Sequence, residues 1–125
     1  MRLSNLEEHI LKILKNENIN FEREKSFSDL KRGLYRYDFY LPNYKGKEVL
    51  IEVDGIFHFK PITGKQRFIK QQNNDRRKNS YALANEIPLY RIPYWKIETI
   101  NKSKDIFNLK YLVKDKWFND NLQPP

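Results

Sequence analysis

Glu48-Val49-Leu50-Ile51-Glu52-Val53-Asp54-Gly55 alternates with period two: Val49, Ile51 and Val53 share one face of a strand, while Leu50, Glu52 and Asp54 share the other. Gly55 ends it. The acids are out of place on so apolar a strand, and residues two apart on one face stand roughly 6 to 7 Å from each other. Just upstream, Leu34 to Leu41 reads as an aromatic-rich strand that Asp38 interrupts. Pro42-Asn43 stops it, Lys45-Gly46-Lys47 turns the chain, and a hairpin is the simplest connection between the two strands. Asp38, Glu52 and Asp54 are thereby brought onto neighbouring strands.

Toward the N-terminus, Ser4-Asn5-Leu6-Glu7 is a Ser-x-x-Glu capping box, and Leu6, Ile10, Ile13 and Leu14 follow at helical spacing, predicting a helix from about Ser4 to Asn16. Glu7 borders the apolar stripe, whereas Glu8, Lys12 and Lys15 take the wet face. Ile19 and Phe21 open a first strand reaching about Phe27, and Ser28 to Gly33 reads as a turn. Beyond Gly55, Ile56 to Gly64 is a loop of functional character, rich in aromatics. A long helix from about Lys65 to Asn85 follows, with Phe68, Gln71 or Gln72, Asp75, Lys78 and Ala82 near one face, a polar stripe for a helix that covers a sheet. Ile87 to Ile92 is a short apolar strand, and residues 103–118 predict an amphipathic last helix through Ile106, Leu109, Leu112, Val113 and Trp117. The order is αβββαβ plus a C-terminal helix: an α/β (α+β) fold around a four-stranded mixed sheet, one domain over 1–125 with its core at about 4–95.

The chain has 125 residues and carries 24 Lys and Arg against 16 Asp and Glu, a net charge of +8, so a polyanion is the first partner to consider. Cysteine is absent, which removes disulfides, thiolate zinc sites and thiol nucleophiles and fits an intracellular protein. No long apolar run marks a membrane span or a secretory signal.

Acids gathered in a basic protein need a neutralising partner. Any one of them reads most simply as a solvated or ion-paired side chain, but three on adjacent strands favour a shared hard cation, Mg²⁺ or Mn²⁺, that bridges carboxylate to phosphate. Such an ion acidifies an attacking water and stabilises charge on phosphoryl oxygens, which is the chemistry of phosphodiester hydrolysis. His58, four residues after Asp54, is placed for acid-base work or is an ordinary loop histidine. Glu7 is also explained by its capping box, and Asp75 by pairing within Arg76-Arg77-Lys78.

These residues resemble the PD-(D/E)XK nuclease superfamily, whose αβββαβ core carries an acid on the first helix, an Asp at the second strand and a Glu-x-Lys on the third. The matching positions are Glu7, Asp38 and Glu52. Ser4 to Glu8, Ile19 to Glu22 and Tyr37 to Asn43 look like the small basic phage endonucleases that resolve branched DNA. Ile51-Glu52-Val53-Asp54-Gly55-Ile56-Phe57-His58 departs from the superfamily pattern, with Asp54 at the lysine position. It is similar there to the very-short-patch-repair-like branch and the EDxHD homing endonucleases, in which an Asp, a loop His and a later Asp join the site; Asp75 would be that later acid. The resemblance spans about residues 4 to 95. It implies an intracellular, phage-type DNA endonuclease with Glu7, Asp38, Glu52 and Asp54 around Mg²⁺ or Mn²⁺, and with His58 and Asp75 completing the catalytic set. Either His58 replaces the missing lysine or a lysine from elsewhere, Lys60 or Lys78, reaches the site.

Basic residues interleaved with aromatics supply the DNA contacts in this reading: Lys31, Arg32, Arg36, Lys60, Lys65, Arg67, Lys70, Arg76 and Lys78. The same residues would serve a non-catalytic DNA-binding module that keeps the fold, the rival reading. The enzyme reading covers nicking, homing-like and structure-selective cleavage: a lone domain of this size must read shape, as in branched or mismatched DNA, or dimerise to find a specific duplex site, and paired cuts would call for a homodimer.

Overall fold

The computed structural model describes residues 4–125. Helix α1 (Asn5–Asn16) begins where the capping box places it: the Ser4 hydroxyl accepts from the Glu7 amide at 3.1 Å, and Glu7 Oε1 accepts from the Ser4 amide at 3.4 Å. Strands β1 (Glu22–Ser26), β2 (Arg36–Tyr44) and β3 (Lys47–Asp54) form an antiparallel meander. Helix α2 (Lys65–Ala84) crosses over to β4 (Leu89–Pro93), which pairs parallel to β3. The sheet order is β1-β2-β3-β4, a four-stranded mixed sheet with helices against it, in the expected αβββαβ order.

Each face of the sheet has its own core. On one side Ile10, Ile13 and Leu14 of α1 pack on Phe39, Leu41, Val49, Ile51 and Val53. On the other, Ala82 of α2 joins Tyr37, Tyr40, Leu50 and Leu89. The polar stripe of α2 has its explanation here. Asp75, Asn79 and Ala82 are its buried residues, and the strands below them present Asp54 and Arg91 as well as apolar side chains.

Several boundaries differ from the sequence expectation: β1 begins at Glu22 rather than Ile19, β2 at Arg36 rather than Leu34, and β4 at Leu89 rather than Ile87. β2 runs through Pro42-Asn43 to Tyr44, accommodated by a register shift between Leu41 and Tyr44. The hairpin closes on Lys45 and Gly46, both at positive φ (51° and 85°), the geometry a two-residue turn requires to match strand twist. The long C-terminal helix is not formed. Only α3 (Ser103–Ile106) is helical, followed by short 3₁₀ turns at Leu109–Tyr111 and Phe118–Asn121. The Asn108 side chain accepts from the Lys110 amide and starts a new turn. The Val113 amide then donates to the Leu89 carbonyl at 2.9 Å, and Leu112 bridges Tyr90. The backbone of this segment thus covers the open edge of β4, a demand that outweighs its helical spacing. Among the described residues no helix is long and apolar enough to cross a membrane.

The feature that makes the site is a break between β2 and β3. Their ladder runs from Tyr44 opposite Lys47 to Phe39 opposite Ile51 and ends there. Beyond it, side chains stand in for backbone partners: Glu52 Oε1 accepts from the Asp38 amide at 3.2 Å, and Asp38 Oδ2 accepts from the Val53 amide at 2.8 Å. A regular strand would put Tyr37 and Phe39 on one face. Instead Tyr37 packs on the α2 side and Phe39 on the α1 side.

Candidate active site

The parted strands open into a hollow of about 370 Å³, lined by Glu7 of α1, Asp38, Glu52, Phe57 and His58 of the following loop, and Gln71 of α2. Lys78 of α2 places its ammonium 2.5 Å from Glu52 Oε1, donates to the Arg36 carbonyl at 2.6 Å and lies 5.0 Å from the centre of the Tyr37 ring. Only 12% of that side chain is exposed. Glu7 is engaged on its other oxygen by Arg23, at 2.9 Å. Asp38 differs from both: among the described residues it has no ion-pair partner. Burial, then the Glu52 charge and more weakly Glu7, hold the Asp38 carboxyl well above the usual range, against the Val53 amide and Lys78. A carboxylate so placed is short of one positive charge.

Below the hollow, Asp54 and Asp75 belong to a closed ionic network. Arg91 of β4 is fully buried; its Nη1 grips both oxygens of Asp54 at 2.8 and 3.1 Å, and its Nε donates to Asn79 at 2.7 Å. Asn119 adds a donor to Asp54 at 2.7 Å. His58 Nδ1 lies 2.8 Å from Asp75 Oδ2 and 3.6 Å from Asp54, and Gln71 donates to the other Asp75 oxygen at 3.1 Å. Burial pulls the His58 pKa down, but the Asp54 charge and the Asp75 hydrogen bond overcome it and push it up to about 9. Burial likewise works against Asp75, yet Arg91 and His58 hold its carboxyl below the usual range. Two carboxylates thus face two cations.

A pH dependence follows. The His58 pKa is raised on folding, so its contribution to stability is complete below pH 6.5 and fades as pH climbs from 6.5 through 9. The loss is on the order of 3 kcal/mol. Urea unfolding at pH 6, 7.5 and 9 checks it: wild type weakens across the series, and His58→Gln is nearly flat.

The structure brings Glu7, Asp38 and Glu52 to one hollow and sets Lys78 of α2, one of the two lysines the sequence offered, against Glu52. It does not leave Asp54 available as a metal ligand. That expectation is corrected by geometry, since both oxygens are committed to Arg91 and Asn119 with none of the side chain exposed. Asp75 is held in the same network. His58, expected as an acid-base, lines the hollow, and its raised pKa favours the protonated form, which suits it to giving a proton. Lys60 and Arg67 border a smaller adjoining hollow with Phe57 and Gln71. Lys31 and Arg76 lie in a separate groove, and Arg32, Arg36, Lys65 and Lys70 are exposed. Sequence reasoning missed Arg91, Asn79 and Asn119. Arg91 carried a signal, because a charge inside Leu89-Tyr90-Arg91-Ile92 interrupts an apolar strand just as Glu52 does.

Among the described residues no three His, Asp or Glu side chains form a group that could hold a metal ion. The donors at the hollow fit a more modest demand. Mg²⁺ keeps several of its waters and is commonly held by one or two carboxylates plus substrate phosphate. Asp38 and Glu52, tied across the break by the Asp38 amide on Glu52 and the Val53 amide on Asp38, offer such a pair. Comparison with family models, curated proteins and solved structures finds no match.

Proposed function

We propose that this chain is a Mg²⁺- or Mn²⁺-dependent DNA endonuclease of the PD-(D/E)XK type, in which Asp38 and Glu52 hold the ion and Lys78 stands where the motif lysine is missing. The observation that carries this reading is the junction of Asp38, Glu52 and Lys78 at the β2–β3 break: two carboxylates, one without a counter-charge, beside an ammonium that α2 delivers. The net charge of +8 supplies attraction for a polyanion. When bound, the ion would acidify water and stabilise charge on the phosphoryl oxygens. The chain's own residues do the rest. Lys78 positions Glu52 and offers N–H donors to a phosphate oxygen, Glu7 stays fixed by Arg23 at the rim, and His58 holds a proton to give to a leaving oxygen. Branched or mismatched DNA is the proposed substrate, in an intracellular, phage-type setting, with a homodimer where paired cuts are made.

Supercoiled plasmid and a four-way junction, incubated with Mg²⁺ and with EDTA, test the reading. Cleavage is expected with Mg²⁺ alone, and Lys78→Met should lower turnover about 10²-fold. Cutting in EDTA overturns it.

Two observations favour a second reading. The ammonium of Lys78 already neutralises Glu52, and among the described residues no three-ligand group is preformed. A non-catalytic DNA-binding module would have no use for the ion, and calorimetry with Mg²⁺ or Mn²⁺ in the presence of DNA would then register no metal binding.

A further inference from the structure

A groove of about 720 Å³ runs along the face of α2 opposite the candidate site. Gln71 and Asp75 point to the site and its network, whereas Asn73, Arg76, Arg77 and Ser80 line the groove, as 100° per residue requires. Its walls add Lys31 and Tyr35 on one side and Lys116 on the other. Four cations therefore converge on one concavity. Among the described residues, no carboxylate pairs with Lys31, Arg77 or Lys116; Asp120 is committed to Arg76 at 2.8 Å.

Two of the cations, Arg76 and Arg77, are held before any ligand arrives. Arg76 is fixed by Asp120, by Asn73 at 3.2 Å and by stacking 4.3 Å over the Trp117 ring. Arg77 donates to the Tyr35 hydroxyl at 3.4 Å, and that hydroxyl donates to Asn74 at 3.0 Å. Lys31 sits in a turn, Lys31–Gly33, whose three residues all have positive φ (49°, 54° and 77°), a conformation side-chain-bearing residues seldom adopt in succession. Like charges gathered in a hollow repel one another, and an extended anion relieves all of them together. Tyrosine, serine and asparagine beside them provide the hydrogen-bonding groups that phosphate and sugar contacts use.

We infer that this groove holds the backbone of a second DNA segment, the arm of a branched or sharply bent substrate whose other arm lies at Asp38 and Glu52. The inference rests on the nuclease reading and deepens it. A helix with its side chains is about 10 Å across, and a straight duplex seated on one side of it cannot follow around to the other. A branch or kink can, so the groove is a device for selecting DNA shape.

Anisotropy titrations in EDTA, with a labelled four-way junction and a linear duplex across a salt series, test it. The pair Arg77→Ala/Lys116→Ala is expected to lose junction affinity on the order of 50-fold at 0.1 M salt, its log–log salt slope falling by about 2, because two phosphate contacts are gone. Linear duplex should change less than about threefold. Arg77→Lys/Lys116→Arg should restore the junction slope, and unchanged circular dichroism of each variant excludes misfolding. Equal losses on both DNAs would overturn the second-arm assignment, as would no loss on either. A parallel junction made of RNA, bound more tightly and equally sensitive to the substitutions, would reassign the groove to RNA. Wild-type protein that binds no DNA would sink the nuclease reading itself; wild-type cleavage with an indifferent groove variant would sink this inference alone.

Discussion

Asp38→Asn is expected to lower DNA cleavage about 10³-fold or more while raising the stability of the metal-free protein. The two effects share one cause. Asp38 is pressed against Glu52 across the β2–β3 break, and burial with that neighbouring charge raises its pKa. A carboxyl held above its unfolded pKa destabilises the fold at any pH where it is forced to ionise. The asparagine carbonyl can still accept from the Val53 amide, so the substitution removes the charge and spares the contact. With the charge goes half of the proposed ion's carboxylate pair. A metal ion contributes several kcal/mol to stabilising phosphoryl charge, and each 1.36 kcal/mol is tenfold in rate. Thermal melting reads the same residue without any assay of cleavage: Mg²⁺ should raise the wild-type midpoint, as any ligand of the native state does, and leave Asp38→Asn unmoved. Equal Mg²⁺ shifts in both proteins, or wild-type cleavage by the variant, would remove Asp38 from the site.

The elements were legible where the signal is local. Ser4 and Glu7 are three residues apart and cap each other, so α1 begins where its capping box says. The alternation of residues 48–54 places Val49, Ile51 and Val53 on the α1 side and Leu50 on the α2 side, as the sequence requires. Three acids on adjacent strands were legible too, but their division of labour was not. Glu52 and Asp54 share a face, yet one borders the hollow and the other is held by Arg91, whose long side chain reaches past Glu52, its neighbour in the β4 register, to Asp54. The charge on His58 depends on Asp54 and on Asp75, the second of which α2 supplies from elsewhere in the chain. Lys78 reaches Glu52 for the same reason, and spacing alone could not separate it from Lys60. The C-terminal segment shows local periodicity losing to a distant requirement, since the edge of β4 takes the backbone of Val113.

The largest stability effect should come from Arg91. Arg91→Met is expected to cost about 3–5 kcal/mol, the loss typical when one partner of a buried ion pair is removed and the other stays charged. Domains of this size are stable by only about 5–15 kcal/mol, so the variant should lose a large share of its stability and melt at a clearly lower temperature. The guanidinium does three things that methionine cannot: it neutralises Asp54, approaches Asp75 at 3.6 Å and donates to Asn79. Arg91→Lys retains the charge without the fork that serves these partners together, and should fall between the two. Asp54→Asn alone leaves Arg91 its partner in Asp75 and should be milder. Joined to Arg91→Met, it should recover about 2 kcal/mol, because the stranded carboxylate has been removed as well. Denaturant midpoints for the four variants measure this directly. They also decide a point of chemistry. Asp54 cannot serve a metal ion while both its oxygens serve Arg91 and Asn119. Were Arg91→Met to cost less than about 1 kcal/mol, the usual range for surface pairs, the network would not be holding Asp54, and that carboxylate would return to the list of ligands beside Asp38 and Glu52.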